Sequence, residues 1–128
     1  MSSFIDKDYL YAIIGASKKK NKFGYKVLMD LAQKGFRAVP VNPKYEDIDG
    51  IKCYASLLEL DDRPDVVIVI TQPEISFKII EECANLDLEK IWFQPGAADE
   101  AVIKLAQERG LNIMVDQCIM KETDNLGE

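Results

Sequence analysis

At 128 residues, with 48% apolar and 30% charged side chains, the chain has the size and balance of one soluble globular domain able to bury a real core. Its formal net charge of −6 excludes a general nucleic-acid binder, which needs a basic footprint. Histidine is absent, and with it go Ser-His-Asp and Cys-His catalysis, histidine-ligated metals and a phosphohistidine intermediate.

In chain order, residues 1–8 read as an N-terminal arm, and the apolar run Leu10–Ile14 reads as a first strand with too little alternation for a sheet with one wet face. Gly15-Ala16-Ser17 follows as a small-residue turn. Four of the five positions from Lys18 to Lys22 are lysine, in a chain that is otherwise acidic. A helix then runs from Gly24 to Lys34 with Val27, Leu28, Leu31 and Ala32 on one face, and Gly35 ends it. Ala38–Val41 is a second strand stopped by Pro43. The stretch from Lys44 to Leu60 is irregular, but Ser56-Leu57-Leu58-Glu59 fits a capping box and predicts a helical turn.

Asp65–Ile70 is the clearest buried strand. Pro73 starts the next helix, with Ile75, Ile79, Ile80 and Cys83 as its apolar stripe. Ile91–Phe93 is a fourth strand, closed by Gln94-Pro95-Gly96. Ala98, Val102, Leu105 and Ala106 line a third helix that Gly110 caps, and Leu111–Val115 is a fifth strand. The polar tail 121–128 is expected to fray. Short buried strands alternating with helices predict a single α/β domain over 1–128: a doubly wound parallel sheet of about five strands in order 2-1-3-4-5, in three α/β/α layers.

Ligands of such sheets bind at the carboxyl ends of the strands where the order reverses, which here is beside Gly15. Four loops converge there: Gly15–Lys22, Asn42–Lys44, Thr71–Pro73 and Gln94–Gly96. The first reads either as a plain turn with a solvated lysine surface or as a phosphate contact. Lysines at a helix start oppose its dipole unless an anion offsets them. Gly15 is expected where a phosphate approaches the backbone and φ is positive. Neither familiar phosphate loop is present: Gly24 is followed by Tyr25-Lys26 rather than Lys-Ser/Thr, and three close glycines are lacking. After the second strand, Asn42 can hydrogen-bond a ribose and Lys44 can neutralise a phosphate on it, so the expected ligand carries a phosphorylated ribose, as coenzyme A and NADP do.

No apolar run approaches the roughly 20 residues of a membrane span, and MSSFIDKDYL holds no signal-peptide core, so a cytoplasmic location without a membrane partner is expected. Cys53, Cys83 and Cys118 are odd in number and lack metal-ligand spacing, which predicts reduced thiols and no metal site. Cys118 stands near the cleft as either a functional thiol or a small buried hydrophobe. Glu74 and Asp99 read either as general acids or, since each is expected in the first turn of a helix, as carboxylates that serve the dipole, and no catalytic residue is assigned.

The segments GASKKKNKFGYKV, GFRAVPVNPKYEDIDGIKCYASLLEL, DVVIVITQPE, IWFQPGAADE and GLNIMVDQCIM, in that order, resemble the small stand-alone CoA-binding protein family from about Tyr9 to Met120. These Rossmann-like domains are similar to the CoA-binding domain of the succinyl-CoA synthetase alpha subunit. The resemblance implies coenzyme A or an acyl-CoA as ligand. It places Gly15, Ala16 and Ser17 at the pyrophosphate, with Lys18, Lys22 and Gly24 in the same loop and helix start. It sets Lys44 at the 3′-phosphate, and Asn42 and Pro43 beside the ribose and adenine. Thr71, Gln72 and Pro73 form the wall by the pantetheine arm, with Gln94, Pro95 and Gly96 across from them. Phe93 separates Trp92 from Gln94, a departure from the family's Trp-Gln-x-Gly pattern that favours a core role for Trp92. The synthetase's second domain and its histidine have no counterpart here. The expected role is a CoA-binding module without catalysis of its own, serving as carrier, sensor or partner subunit. An NADP-binding regulatory or reductase domain and the CoA-binding part of a ligase needing another chain are the alternatives. A homodimer or an unidentified protein partner stays open.

Overall fold

The computed structural model describes residues 4–124. In chain order the elements are β1 (Leu10–Ile14), α1 (Phe23–Gln33), β2 (Arg37–Val41), β3 (Asp47–Ile48), β4 (Ile51–Lys52), β5 (Val66–Val69), α2 (Pro73–Asn85), β6 (Lys90–Phe93), α3 (Glu100–Glu108), β7 (Asn112–Met114) and α4 (Ile119–Glu122). The main sheet has the order β2-β1-β5-β6-β7. All its pairs are parallel, with Leu10 opposite Arg37 and Tyr11 opposite Val66. With the two short strands β3 and β4 set aside, this is the expected 2-1-3-4-5 order.

Alternate side chains of each strand feed two separate cores, which is why the strands read as unbroken apolar runs. On one face Ala12, Ile14, Val67, Val69, Ile91 and Phe93 meet Ile80 and Cys83 of α2 and Val102, Leu105 and Ala106 of α3. On the other, Tyr11, Ile13, Val66, Ile68 and Trp92 meet Val27, Leu28 and Leu31 of α1 and Ile119 of α4. Each fully buried side chain of this kind contributes about 1.5–3 kcal/mol. Gly35, at φ +86°, lets the Phe36 N–H turn back to the Leu31 carbonyl (3.0 Å) and end α1.

Three local expectations are corrected. The irregular stretch contains an antiparallel hairpin, β3–β4, whose turn places both Asp49 (φ 49°) and Gly50 (φ 86°) in the left-handed region. Ser56 precedes a short 3-10 turn at Leu57–Glu59 but makes no side-chain cap. The Leu57 N–H donates instead to Glu82 Oε1 from α2, at 3.2 Å. Finally, the tail is docked as far as Asp124. Lys34 Nζ donates to the Met120 carbonyl (2.7 Å) and pairs with Asp124 (2.9 Å), and Thr123 Oγ1 donates to the Ile119 carbonyl. Burial disfavours the Lys34 ammonium, but Asp30 and Asp124 together hold its pKa above the ordinary value. Residues 125–128 lie outside the described residues.

At the other end of the chain, Phe4 is buried edge-on to Trp92, with ring centroids 6.1 Å apart. The Tyr11 hydroxyl donates to the Phe4 carbonyl at 2.7 Å, and burial pushes that phenol's pKa up to about 12. The Trp92 indole N–H donates to the Gln117 carbonyl at 2.8 Å, the packing role expected of it. Among the described residues, no helix is long and apolar enough to cross a membrane.

Candidate functional site

Parallel strands deliver their carboxyl ends to one edge, and three of them are clamped together there. The Gly15 N–H donates to the Val41 carbonyl (3.3 Å) and the Ile70 N–H to the Ile14 carbonyl (2.9 Å). Gly15 has φ +95°, and a Cβ at that position would run into the Ile70 carbonyl oxygen. A Cβ on Gly24 would meet the Gly15 carbonyl oxygen in the same way. The positive φ is as expected; the space beside the Gly15 α-carbon, expected for a ligand, is filled by the end of β5. Both glycines are therefore required by backbone packing, which seats the first turn of α1 directly on the β1 end.

That first turn is left open. Lys22, at the N-cap, is extended (φ −85°, ψ 146°) and supplies no capping bond, and no acidic residue follows in the first turn. The Tyr25 N–H turns back to the Lys22 carbonyl at 3.2 Å, but no side chain caps the helix, and its positive end borders the cleft at Lys22, Phe23 and Gly24. By contrast, Asp99 caps α3, accepting from the Val102 N–H at 2.9 Å.

Three hollows that share lining residues lie along this edge. The first, about 420 Å³, is mainly apolar, walled by Ile14, Val41, Pro43, Leu57, Ile75 and Ile79. The second, about 370 Å³, holds Lys19, Lys22 and Lys44 with Ser17 and Tyr45. The third, about 880 Å³, is bounded by Ile70–Gln72, Pro95–Ala97, Cys118, Met120 and Lys121. Lys44 lines all three. A further hollow of about 550 Å³ lies at the amino edge, but its cations are engaged: Arg63 with the Leu86 and Asp87 carbonyls, Arg109 with the Glu81 carboxylate.

The sequence pattern of the CoA-binding domain family matches residues 10–124. The chain belongs to that family. It is 42% identical over 74 residues to acetate–CoA ligase (ADP-forming) of Methanocaldococcus jannaschii, a match covering 58% of this chain but only 10% of the ligase. An uncharacterized Bacillus subtilis protein is 29% identical over 108 residues, covering 84% of this chain and 80% of that one. The solved structure of a conserved hypothetical protein from Pyrococcus furiosus has a TM-score of 0.87 at 38% identity, over 90% of this chain and 99% of that one.

In this CoA-binding domain, the sequence-predicted residues Gly15, Ser17, Lys22, Gly24, Asn42, Pro43, Lys44, Thr71, Gln72, Pro95 and Gly96 all border the three hollows. Four others do not. Ala16 is buried, and its carbonyl accepts from Asn42 Nδ2 at 2.8 Å. Lys18 leans away to Asp47, at 3.8 Å. Pro73 serves as the first residue of α2. Gln94 is only 1% exposed, its Oε1 accepting from the Ile119 N–H at 2.9 Å, so its side chain ties α4 to β6 rather than facing the cleft.

Asn42 is at the cleft but occupied at both ends: Nδ2 holds Ala16, and Oδ1 accepts the Lys44 N–H at 2.9 Å. Its observed task is to shape the loop that presents Lys44. Lys19 lies within the lysine run that the sequence flags but is not singled out from it, while Tyr45 and the apolar wall supplied by Ile75 and Ile79 escape sequence reasoning. The wall had a partial signal in the apolar stripe of α2, but only the fold shows that Ile75 of that stripe is 44% exposed. Among the thiols, burial pushes Cys83 up to about 12 and also raises Cys53. Cys118 alone of the three borders the widest hollow.

Proposed function

We propose that this chain binds coenzyme A or an acyl-CoA and performs no catalysis by itself. The observation that carries the reading is the shared lining of three hollows by Lys44: an apolar hollow, a lysine-lined one at a helix start without a side-chain cap, and a wide chamber. Coenzyme A has three parts that suit these three hollows. Its base suits the apolar hollow beside Pro43. Its phosphates suit the second hollow, where the start of α1 meets Lys19, Lys22 and Lys44. Its pantetheine arm then runs past Ile70–Gln72 into the chamber bounded by Pro95–Ala97 and Cys118. The absence of histidine and the burial of Cys53 and Cys83 support a binding role without turnover.

The identity with acetate–CoA ligase favours one variant of this reading, in which the chain supplies the CoA-binding part of a ligase to another polypeptide. Thermal-shift and calorimetric titration with CoA, acetyl-CoA, NAD and NADP tests the ligand. CoA at 100 times its dissociation constant is expected to add about 2.7 kcal/mol of stability. A response to NADP with none to millimolar CoA would replace the reading with an NADP-binding domain. Turnover by the purified chain that vanishes on mutating a cleft loop would overturn the non-catalytic role.

A further inference from the structure

Tyr45 follows Lys44 in the loop after β2, its backbone N–H donating to the Asn42 carbonyl at 3.3 Å, and its side chain lines the lysine-flanked middle hollow. Ser17, whose Oγ accepts the Lys19 N–H at 3.0 Å, lines the same hollow, and so do Lys19, Lys22 and Lys44. The neutral phenol has one hydrogen to give.

Lys19 and Lys44 line the hollow with the phenol and act on it by charge. The Lys18 ammonium, paired with Asp47 at 3.8 Å, lies 5.8 Å from the ring centroid. The Ser17 hydrogen bond, against an opposing pull from burial and together with the Lys18 N–H and the Lys19 and Lys44 charges, holds the Tyr45 phenol below its ordinary pKa. Tyr11, Tyr25 and Tyr54 stand above theirs, the first through burial, the others through Asp49 and Asp61. An acceptor-only anion is what such a donor among lysines suits.

We propose that Tyr45 donates its phenolic hydrogen to a phosphate oxygen of the bound ligand and fixes that phosphate between Lys19 and Lys44. The assignment rests on the CoA reading for the identity of the ligand. It makes Tyr45 a specificity-determining residue that distinguishes phosphorylated ligands from unphosphorylated ones of the same shape.

Calorimetric titration of wild type and Tyr45→Phe with CoA and with dephospho-CoA tests it, alongside alkaline titration of the phenolate absorbance that the variant lacks. Loss of the bond is expected to weaken CoA roughly tenfold. Weakening of CoA alone assigns the phosphate on the ribose, and equal weakening of both ligands assigns the pyrophosphate. In the wild type, bound CoA is expected to move the Tyr45 phenolate to higher pH, because a neighbouring negative charge disfavours it. Unchanged affinity for both ligands, or an unmoved phenolate in the CoA-saturated wild type, overturns the proposal. Inorganic pyrophosphate in the same titration separates the two readings. If it shifts the phenolate of a chain that does not bind CoA, Tyr45 keeps its role and the CoA reading falls; if neither ligand shifts it, the Tyr45 role falls as well.

Discussion

The turn from β1 into α1 and the turn from β6 into α3 occupy the same edge of one sheet and solve the same problem in opposite ways. The second is closed by its own residues: Asp99 caps the helix, Glu100 follows in the first turn, and Gln94 is buried on the Ile119 N–H. The first has lysine at the N-cap, no acidic residue in the first turn and no capping side chain. A turn that satisfies itself holds the fold. One that leaves a positive helix end among further cations is less stable by itself and gains from an anion. The difference marks the first turn, on chemistry alone, as the one suited to an anion.

The largest break in this comparison is expected from the glycines. Gly15→Ala and Gly24→Ala each force a Cβ against a backbone carbonyl, and each should cost on the order of 3 kcal/mol, read as a lowered denaturation midpoint. Gly96 in the other turn has φ +90° but nothing within 4 Å of the place an alanine methyl would take, so Gly96→Ala should cost only the left-handed penalty of about 1–2 kcal/mol. Comparable losses at all three positions would remove the claim that the first turn is specially close-packed.

Lys44→Ala is the next effect in size. It should weaken CoA by roughly 1.5–3 kcal/mol and dephospho-CoA by less, as titration calorimetry would show. Equal losses would move Lys44 from the ribose phosphate to another part of the ligand. Asp99→Ala sharpens the contrast from the other side, with about 1 kcal/mol of stability lost at the α3 cap and CoA affinity unchanged. A loss of affinity there would show that the closed turn also serves the ligand.

Much of this is legible in the chain because the signals are local. Leu10–Ile14, Val66–Val69 and Ile91–Phe93 announce buried parallel strands through unbroken apolar runs, and the strand order follows from crossover handedness. What escapes a reading of the sequence depends on partners distant along it. Gln94 resembles a cleft residue because polar side chains at strand ends usually are, yet its partner is a backbone N–H 25 positions on. The tail looks free because nothing near it explains why Lys34 holds Met120 and Asp124. The β3–β4 hairpin is different: Asp49-Gly50 between Ile48 and Ile51 is a local turn signal, hidden because two-residue strands leave almost no periodicity.

Trp92 is the chain's single tryptophan, fully buried, with Phe4 from the N-terminal arm against its ring and Gln117 from the approach to α4 on its indole N–H. The molecule therefore carries one indole fluorophore, and its immediate surroundings are built from segments near opposite ends of the chain. Emission colour becomes a built-in gauge of whether those segments are seated: blue while both shield the indole, red once water replaces either of them.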